Sequence, residues 1–289
     1  MTRRQRAMLK LAIWLGLAKS SFQQQKTVRF GDATTVTGGR IWSILTLLIL
    51  ALIWVVSSVY EWVNPIFWPP PSAVGEKLMT TVSEGYRYYS LWQHVGYSVF
   101  RVLAGVFFGC VVGIPLGFVM GLSTMCRGLF DPVVEFMRPI PPLALIPITI
   151  IWFGIGEESK IILLFLATVF IMTIAARSGV SGVKITKVHA AYTLGATRGQ
   201  ILRHVIMPNA LPEIFTGVRT AMGVCWATVV AAELVAANVG VGFMIMSASK
   251  FMSTDLVVLG IIIIGLIGFG IEIGMRKLED RLIPWKGRG

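Results

Sequence analysis

Apolar runs about as long as a bilayer is thick recur along this chain, and they constrain its fold more than any other feature. Hydrophobic residues make up 55% of the sequence and charged residues 14%, which is more apolar than one soluble core requires. About 20 consecutive apolar residues cross the hydrocarbon core as a helix, in which every backbone polar group is bonded internally. The sequence therefore predicts an all-α polytopic membrane protein. Its six predicted spans cover residues 41–60, 95–122, 131 to the IWFGIGEESK turn, 161–176, 213–236 and 256–275.

Basic residues indicate how these spans are oriented. The excess of Lys and Arg lies in residues 1–40, 177–203 and 276–288, and such an excess marks the cytoplasmic side. Both termini are therefore expected in the cytoplasm, which requires an even number of spans. The net charge of +12 has the same origin, together with contact to anionic membrane lipid. No groove-reading motif accompanies the charge, so nucleic acid is not an expected partner.

Three segments follow along the chain. Residues 1–40 predict a basic amphipathic helix on the inner membrane surface and a linker, and a signal peptide is the alternative reading. Residues 41–276 form the transmembrane domain, which includes a polar loop at 178–212, and residues 277–289 form a cytoplasmic tail. The proline- and aromatic-rich segment after the first span either docks a partner or forms an interfacial loop, and the residues leave both open.

Prolines make the third predicted span the least regular one. After a short turn expected at residues 123–131, the span contains two charged residues and then four prolines: Glu135, Arg138, Pro139, Pro141, Pro142 and Pro147. Irregular backbone within a membrane is tolerated only beside protein or a water-filled cavity, so this segment is expected to line the interior. Glu135 and Arg138 are predicted to pair, and direct contact of Arg138 with a translocated anion is the alternative. Glu233, near the outer end of the fifth span, is a further candidate for the path.

Glycines recur at every fourth position of the second span. They are Gly105, Gly109, Gly113, Gly117 and Gly121, with Pro115 between them. This spacing keeps them near one helical face, where a second helix can approach the backbone closely. The repeat therefore predicts a tight helix crossing.

The stretch HAAYTLGATRGQILRHVIMPNALP, residues 189–212, is polar and basic between two apolar runs. Gly195 suits the left-handed end of a first helix, and Thr197 with Gln200 forms a capping-box pair at the start of a second. Pro208 is expected to end that second helix. The pattern predicts a helix, a break and a helix on the cytoplasmic side.

This stretch resembles the cytoplasmic coupling loop of ABC importer permeases, in which E-A-A is followed by G and later by L-P. Ala190, Ala191, Gly195 and Pro208 match that spacing, whereas His189 stands where the family has an acidic residue. The resemblance implies that these residues, with Ala196, Thr197 and Arg198, contact an ATP-binding subunit. An ordinary helix-turn-helix loop is the alternative for the short pattern alone.

The likeness extends over about residues 40–287. The phrases RPIPPLA, WFGIGE, ALPEI and VAAEL resemble the permeases of the nitrate, sulfonate and taurine branch of ABC importers, and most of all those of taurine importers. The resemblance implies a type I importer in a bacterial inner membrane, with two permease copies and two ATP-binding subunits. A periplasmic binding protein would deliver a small organosulfonate such as taurine. Aliphatic sulfonates, or another small anion such as nitrate, are the alternative.

Motifs for chemistry on this chain are lacking. There is no GxxxxGK[ST] loop, so ATP and Mg are expected on the partner subunit, and no cofactor is expected here. The scattered histidines and three cysteines share no catalytic or metal-ligand spacing, so an enzyme is not predicted. An ion-coupled secondary transporter is the competing class, but it requires inverted repeats and a midplane ion site that the sequence does not present.

Overall fold

The computed structural model describes residues 39 to 285, and within that range it consists of helices and connecting turns. The interfacial helix and linker predicted for residues 1–40 lie almost wholly outside the described residues, as do residues 286–289 of the predicted tail. The helices are α1 (Gly39–Val59), α2 (Pro71–Glu84), α3 (Leu91–Leu122), α4 (Thr124–Met137), α5 (Ile146–Phe153), α6 (Glu157–Ser181), α7 (Ile185–Thr193), α8 (Arg198–Ala236), α9 (Val241–Lys250) and α10 (Thr254–Leu282).

The chain divides into two compact units between Ala73 and Val74. Within the first, α1 is apolar along its length and its described side chains are almost all exposed. The turn that follows is fastened to it by aromatic donors, since Trp54 Nε1 donates to the Pro69 carbonyl at 3.1 Å and Trp68 Nε1 to Ser57 Oγ at 3.0 Å. The second unit contains the helices from α3 onward.

Five described helices are long and apolar enough to cross a membrane: α1, α3, α6, α8 and α10. The predicted count of six is reached when α4 and the segment Pro142–Phe153, which bend by 89° at a break of a few residues, form one interrupted crossing. The turn predicted at residues 123–131 is wrong, because α4 begins at Thr124. Ser123 caps it by accepting from the Cys126 amide, and Arg127 pairs with Asp131 one turn later.

The glycine repeat of α3 packs against α6, as the spacing predicts. A Cβ added at any of the five positions would strike α6; at Gly113 it would lie 2.7 Å from the Val169 carbonyl oxygen. Larger residues would therefore force the two helices apart. Helices α3 and α6 also contribute to the core of the second unit, in which Leu164, Cys225 and Val229 are fully buried.

Helix α8 does not end at Pro208, which corrects the sequence prediction. It continues from Arg198 to Ala236, with a π-helical turn at Leu202–Ile206 immediately before the proline. Here the Met207 amide donates to the Leu202 carbonyl, five residues back. A proline ring clashes with the carbonyl four residues earlier in a regular α-helix, and the wider π-turn relieves that conflict. The Asn209 side chain also donates to the Val205 carbonyl at 2.6 Å.

The segment after α8 forms the short helix α9. Val241, Met244 and Ala248 are fully buried, so α9 is embedded against the bundle. Its ten residues are too few to cross a bilayer.

Candidate functional site

A cluster of charged side chains lies where α3, α6 and α8 come together near the start of α6. Arg101 of α3 is fully buried, and its Nη1 donates to Glu233 Oε1 of α8 at 2.6 Å and to the Val239 carbonyl at 2.9 Å. Its Nε and Nη2 each donate to a Glu157 oxygen of α6 at 2.5 Å. Lys160 reaches the same carboxylate at 3.3 Å. We call Arg101, Glu157, Lys160 and Glu233 the buried charge network.

Glu233 is fully buried and its carboxylate is fully bonded. Ser98 Oγ lies 2.8 Å from Oε1, and the Gly242 amide donates to Oε2 at 2.9 Å. A Cβ at Gly240 would strike this carboxylate, so the turn between α8 and α9 has to carry a glycine there. The structure therefore places Glu233 in a packed junction, where it lines neither the cavity beside Arg138 nor the one beside Arg219. This location favours a structural role over the predicted place on the translocation path.

His94 extends the junction toward the segment between α2 and α3. Its Nδ1 accepts from the Gly240 amide at 3.1 Å, and its Nε2 lies 3.3 Å from the Tyr86 carbonyl. A neutral ring with its proton on Nε2 satisfies both contacts. His94 thus joins two loops to α3, with no metal-ligand group of three around it in the part of the chain that the structure describes.

Sequence reasoning missed Arg101 although a signal was present. The residue stands within the apolar second span, and an ionised group inside a span requires an opposite charge or water. Glu233, the acid noted in the fifth span, is the partner that this rule would have sought. The two residues are 132 positions apart, and only the fold brings them together.

The α7–α8 corner, residues 185–201, has the local structure that the sequence predicts. Gly195 adopts φ +80°, its amide donates to the Tyr192 carbonyl, and the Ala196 amide donates to the Ala191 carbonyl. These two bonds form a Schellman motif. Thr197 then caps α8 with Gln200 as the reciprocal partner. The corner is therefore set by backbone and capping bonds between neighbours in the sequence.

Most of the predicted coupling residues lie on the surface of this corner. The exposed ones are His189, Ala190, Gly195, Thr197 and Arg198, whereas Ala191, Ala196 and Pro208 are half-buried. Leu194 at the tip is 87% exposed, although it is apolar. Lys187 of α7 donates to the Asn209 side chain of α8 at 2.7 Å, which ties the two helices together. The corner thus exposes an apolar side chain at its tip with basic residues nearby, and a hydrogen bond joins its two helices.

The proline-rich bend between α4 and α5 borders a cavity of about 220 Å³. Arg138, Pro141 and Pro142 line it, opposite side chains of α6 and Val224 of α8. The bend therefore gathers three of the predicted path residues at one opening. Arg138 is exposed.

The predicted pair of Glu135 with Arg138 is wrong. Glu135 lies 3.4 Å from Arg177 of α6, which also pairs with Asp131. Asp131 and Glu135 are one turn apart on α4, so both carboxylates face the same guanidinium, whereas α4 ends at Met137 and the chain turns away at Arg138. Arg138 instead lines the cavity at the bend.

Three comparisons relate this chain to known proteins. Residues 113–284 match the family model described as binding-protein-dependent transport system inner membrane component. The taurine transport system permease protein TauC of Escherichia coli (strain K12) is 47% identical over 85% of this chain and 90% of its own. The putative aliphatic sulfonates transport permease protein SsuC of the same strain is 36% identical over 82% and 88%.

A solved structure of the MetNI methionine ABC transporter in an inward-facing conformation contains a chain of similar fold. The TM-score is 0.53 at 21% identity, over 65% of this chain and 95% of that one. At this identity the likeness concerns the fold alone.

Proposed function

Because the chain belongs to the family of binding-protein-dependent transport system inner membrane components, we propose that it forms the path for a small organosulfonate, taurine first, in an ATP-driven importer. The observation that supports the substrate is the 47% identity to the taurine permease over 85% of this chain and 90% of that one. Aliphatic sulfonates are the second candidate, supported by the 36% identity to the corresponding permease.

The proposed assembly contains two copies of this permease and two ATP-binding subunits that hold ATP and Mg. A periplasmic binding protein delivers the substrate from outside. The membrane domain is residues 41–276, with the coupling loop at 178–212, and residues 1–40 and 277–289 lie in the cytoplasm. The basic excess at both termini and in residues 177–203 supports this orientation.

The α7–α8 corner is the proposed contact with the ATP-binding subunit. His189, Ala190, Gly195, Thr197 and Arg198 supply its exposed surface, with Ala191, Ala196 and Pro208 behind them. The Leu194 tip, 87% exposed, suits burial in a partner's groove. Helix α8 continues from this corner without a break to Ala236, so a displacement of the corner moves a whole membrane helix.

A mechanism follows from the two ends of α8. Closure of the ATP-binding subunits pulls on the corner, and α8 tilts together with α6, because α7 is only nine residues long and lies between them. At the other end the buried charge network fastens α8 to α3 and α6. The helices therefore move as a body rather than sliding past one another, and the access of the path changes sides.

Arg138, Pro141 and Pro142 remain the proposed path residues at the bend. Their support is the cavity that they line together and the exposed guanidinium of Arg138. An arginine offers planar donors that suit an oxyanion such as a sulfonate. Glu135 stays near the path through its pair with Arg177, and Glu233 is assigned to the network instead.

Uptake by the complete importer tests the substrate. The permease, ATP-binding subunit and binding protein encoded with it are reconstituted in vesicles, and labelled taurine is competed with alkanesulfonates and with nitrate. ATP-dependent taurine uptake, inhibited most by taurine itself, is the expected result. Stronger competition by an alkanesulfonate would transfer the proposal to that substrate, and uptake without the ATP-binding subunit would refute an ABC importer.

Thiol labelling tests the orientation. A cysteine at Gln200, on the α7–α8 corner, is expected to be shielded from an impermeant reagent outside intact cells. A cysteine at Ser83, on α2, is expected to react. Labelling of the Gln200 position from outside, or shielding at Ser83, would contradict the proposed topology.

A further inference from the structure

A second group of charged residues joins α8 to α10 within the membrane helices. Arg219 Nε of α8 donates to Glu272 Oε2 of α10 at 3.0 Å, and its Nη2 pairs with Oε1 of the same carboxylate. Arg276 Nε also donates to Glu272 Oε1 at 3.0 Å. The side chains of Arg219 and Glu272 are 38% and 33% exposed, unlike those of Arg101 and Glu233.

Depth decides what this group can face. Arg219 precedes the end of α8 by 17 residues, or about 26 Å at the rise of an α-helix, so in a hydrocarbon core of about 30 Å it lies near the edge on the side of the α7–α8 corner. Ionised groups at such depth face water or protein and not lipid tails. The face of α8 that carries Arg219 is therefore turned toward an aqueous space or another subunit.

Arg219 borders an open cavity on the surface of α8. An open cavity of about 460 Å³ is lined by Thr216, Arg219, Thr220, Gly223, Val224 and Glu272. Thr216, Thr220 and Gly223 follow one face of α8, and a Cβ at Gly223 would meet nothing within 4 Å. The side chains beside the guanidinium are thus small or polar, which leaves room for a ligand.

This cavity adjoins the one at the α4–α5 bend. Val224 of α8 contributes to the lining of both cavities. Arg138 borders one side and Arg219 the other. Two arginines therefore flank the same stretch of the wall.

We propose that Arg219 is an oxyanion contact on the translocation path, which takes the sulfonate group of the substrate after it has left Arg138. The inference rests on the proposed function, because it requires a sulfonate to travel along this wall. Glu272 holds the Arg219 guanidinium at the cavity wall through its Nε and Nη2 groups. The guanidinium attracts the anion at close range, and the carboxylate that it already holds keeps Arg219 from binding the anion too tightly to release.

A pair of thiol reagents tests this contact in the complete importer complex in lipid nanodiscs. Gly223→Cys places a thiol in the cavity, and the three native cysteines give a background measured without that change. The sulfonatoethyl methanethiosulfonate reagent is anionic, and its trimethylammonium counterpart is cationic. With Arg219 present, we expect the anionic reagent to react faster. Adding Arg219→Gln should lower the anionic-to-cationic rate ratio roughly fivefold, because one nearby positive charge is lost.

Matched variants separate the contact from charge in general. Arg276→Gln removes the same charge from a residue that does not line the cavity, and it should change the ratio less than half as much. Glu272→Gln should raise the ratio, which keeps the test decisive even where Arg219→Gln does not assemble. An unchanged ratio in Arg219→Gln, or in Glu272→Gln where only that variant assembles, would overturn the proposal. So would an unreactive thiol at Gly223.

Sulfonate uptake by the same complexes separates this inference from the function on which it rests. Uptake should fall about tenfold or more in Arg219→Gln and stay within about twofold of wild type in Arg276→Gln. A wild-type complex that transports no sulfonate, yet shows the expected rate ratios, refutes the proposed substrate and leaves the anion contact standing. Uptake unaffected by Arg219→Gln would overturn the contact while the importer function holds.

Discussion

At one end of the bundle Arg101 and Glu233 are fully buried and bonded to each other, whereas at the other end the basic residues of the α7–α8 corner face outward. The buried pair joins helices distant in the sequence, and Glu233 depends on Arg101 for compensation of its charge, whereas Arg101 is also paired with Glu157. Apart from the contact of Lys187 with Asn209, the corner is held by bonds between residues no more than five apart. One end is rigid within the subunit, and the other exposes residues that a partner subunit can contact.

Removing one partner of the buried charge network should have the largest effect. Glu233→Ala leaves Arg101 with Glu157 as its remaining carboxylate partner and takes the side-chain acceptor from its Nη1, and breaking a buried ion pair costs about 3–5 kcal/mol. We expect the amount of folded permease in membranes and its thermal stability in detergent to fall sharply. Glu233→Gln is the matched control, because its amide oxygen still accepts from Arg101 and Ser98, and it should lose less. Wild-type stability of Glu233→Ala would show that the network is not what fastens this end.

Substitution of Gly195 should act on assembly rather than on folding. Its φ of +80° costs a non-glycine residue about 1 kcal/mol, and a Cβ there meets nothing within 4 Å of the isolated chain. Gly195→Asp should therefore insert and fold, while co-purification of the ATP-binding subunit and substrate uptake both fall.

Gly195→Asn separates the two causes, because asparagine tolerates left-handed geometry but still adds a side chain. Loss of coupling in both variants indicates that contact with the ATP-binding subunit requires a residue without a side chain at position 195. Normal ATPase association and uptake in both would remove the corner from the coupling role.

Arg138→Ala should have a smaller effect, confined to transport. The residue borders the cavity at the bend, and the pair of Glu135 with Arg177 does not depend on it. We expect uptake per assembled complex to fall several-fold, roughly 1 kcal/mol of lost interaction with the anion. Arg127→Ala is the control, since Arg127 lies on α4, the helix that leads to Arg138, and is 56% exposed. Equal uptake in the two variants would deny Arg138 a place on the path.

The smallest effect is expected from Lys187→Ala. It removes the 2.7 Å bond to Asn209 between α7 and α8, but this contact is exposed to solvent and such contacts contribute little. Substrate-stimulated ATP hydrolysis should stay within about twofold of wild type. A larger loss of ATP hydrolysis would mean that the corner depends on the Lys187–Asn209 bond as well as on its capping bonds. The two ends of the bundle would then both rely on contacts between residues distant in the sequence.

The sequence by itself determined the features that depend on near neighbours. Apolar runs predicted the membrane spans, the four-residue glycine spacing predicted the α3–α6 crossing, and Gly195 with the Thr197 cap predicted the corner. In each case the physical cause acts within one helix or one turn: hydrophobic length, helical period, or a capping bond. The family resemblance came from phrases of the same local kind, and it was confirmed.

Tertiary structure alone decided which charges meet and where a helix survives a proline. Glu135 was expected to pair with Arg138 three residues away, but Arg177 comes from another helix and faces two carboxylates at once. Pro208 was expected to end its helix, but a π-turn absorbs the ring. Arg101 and Glu233 are 132 residues apart, and their partnership exists only after α3 and α8 have packed. Pairing follows distance in space, and sequence spacing reports that distance only along one helix.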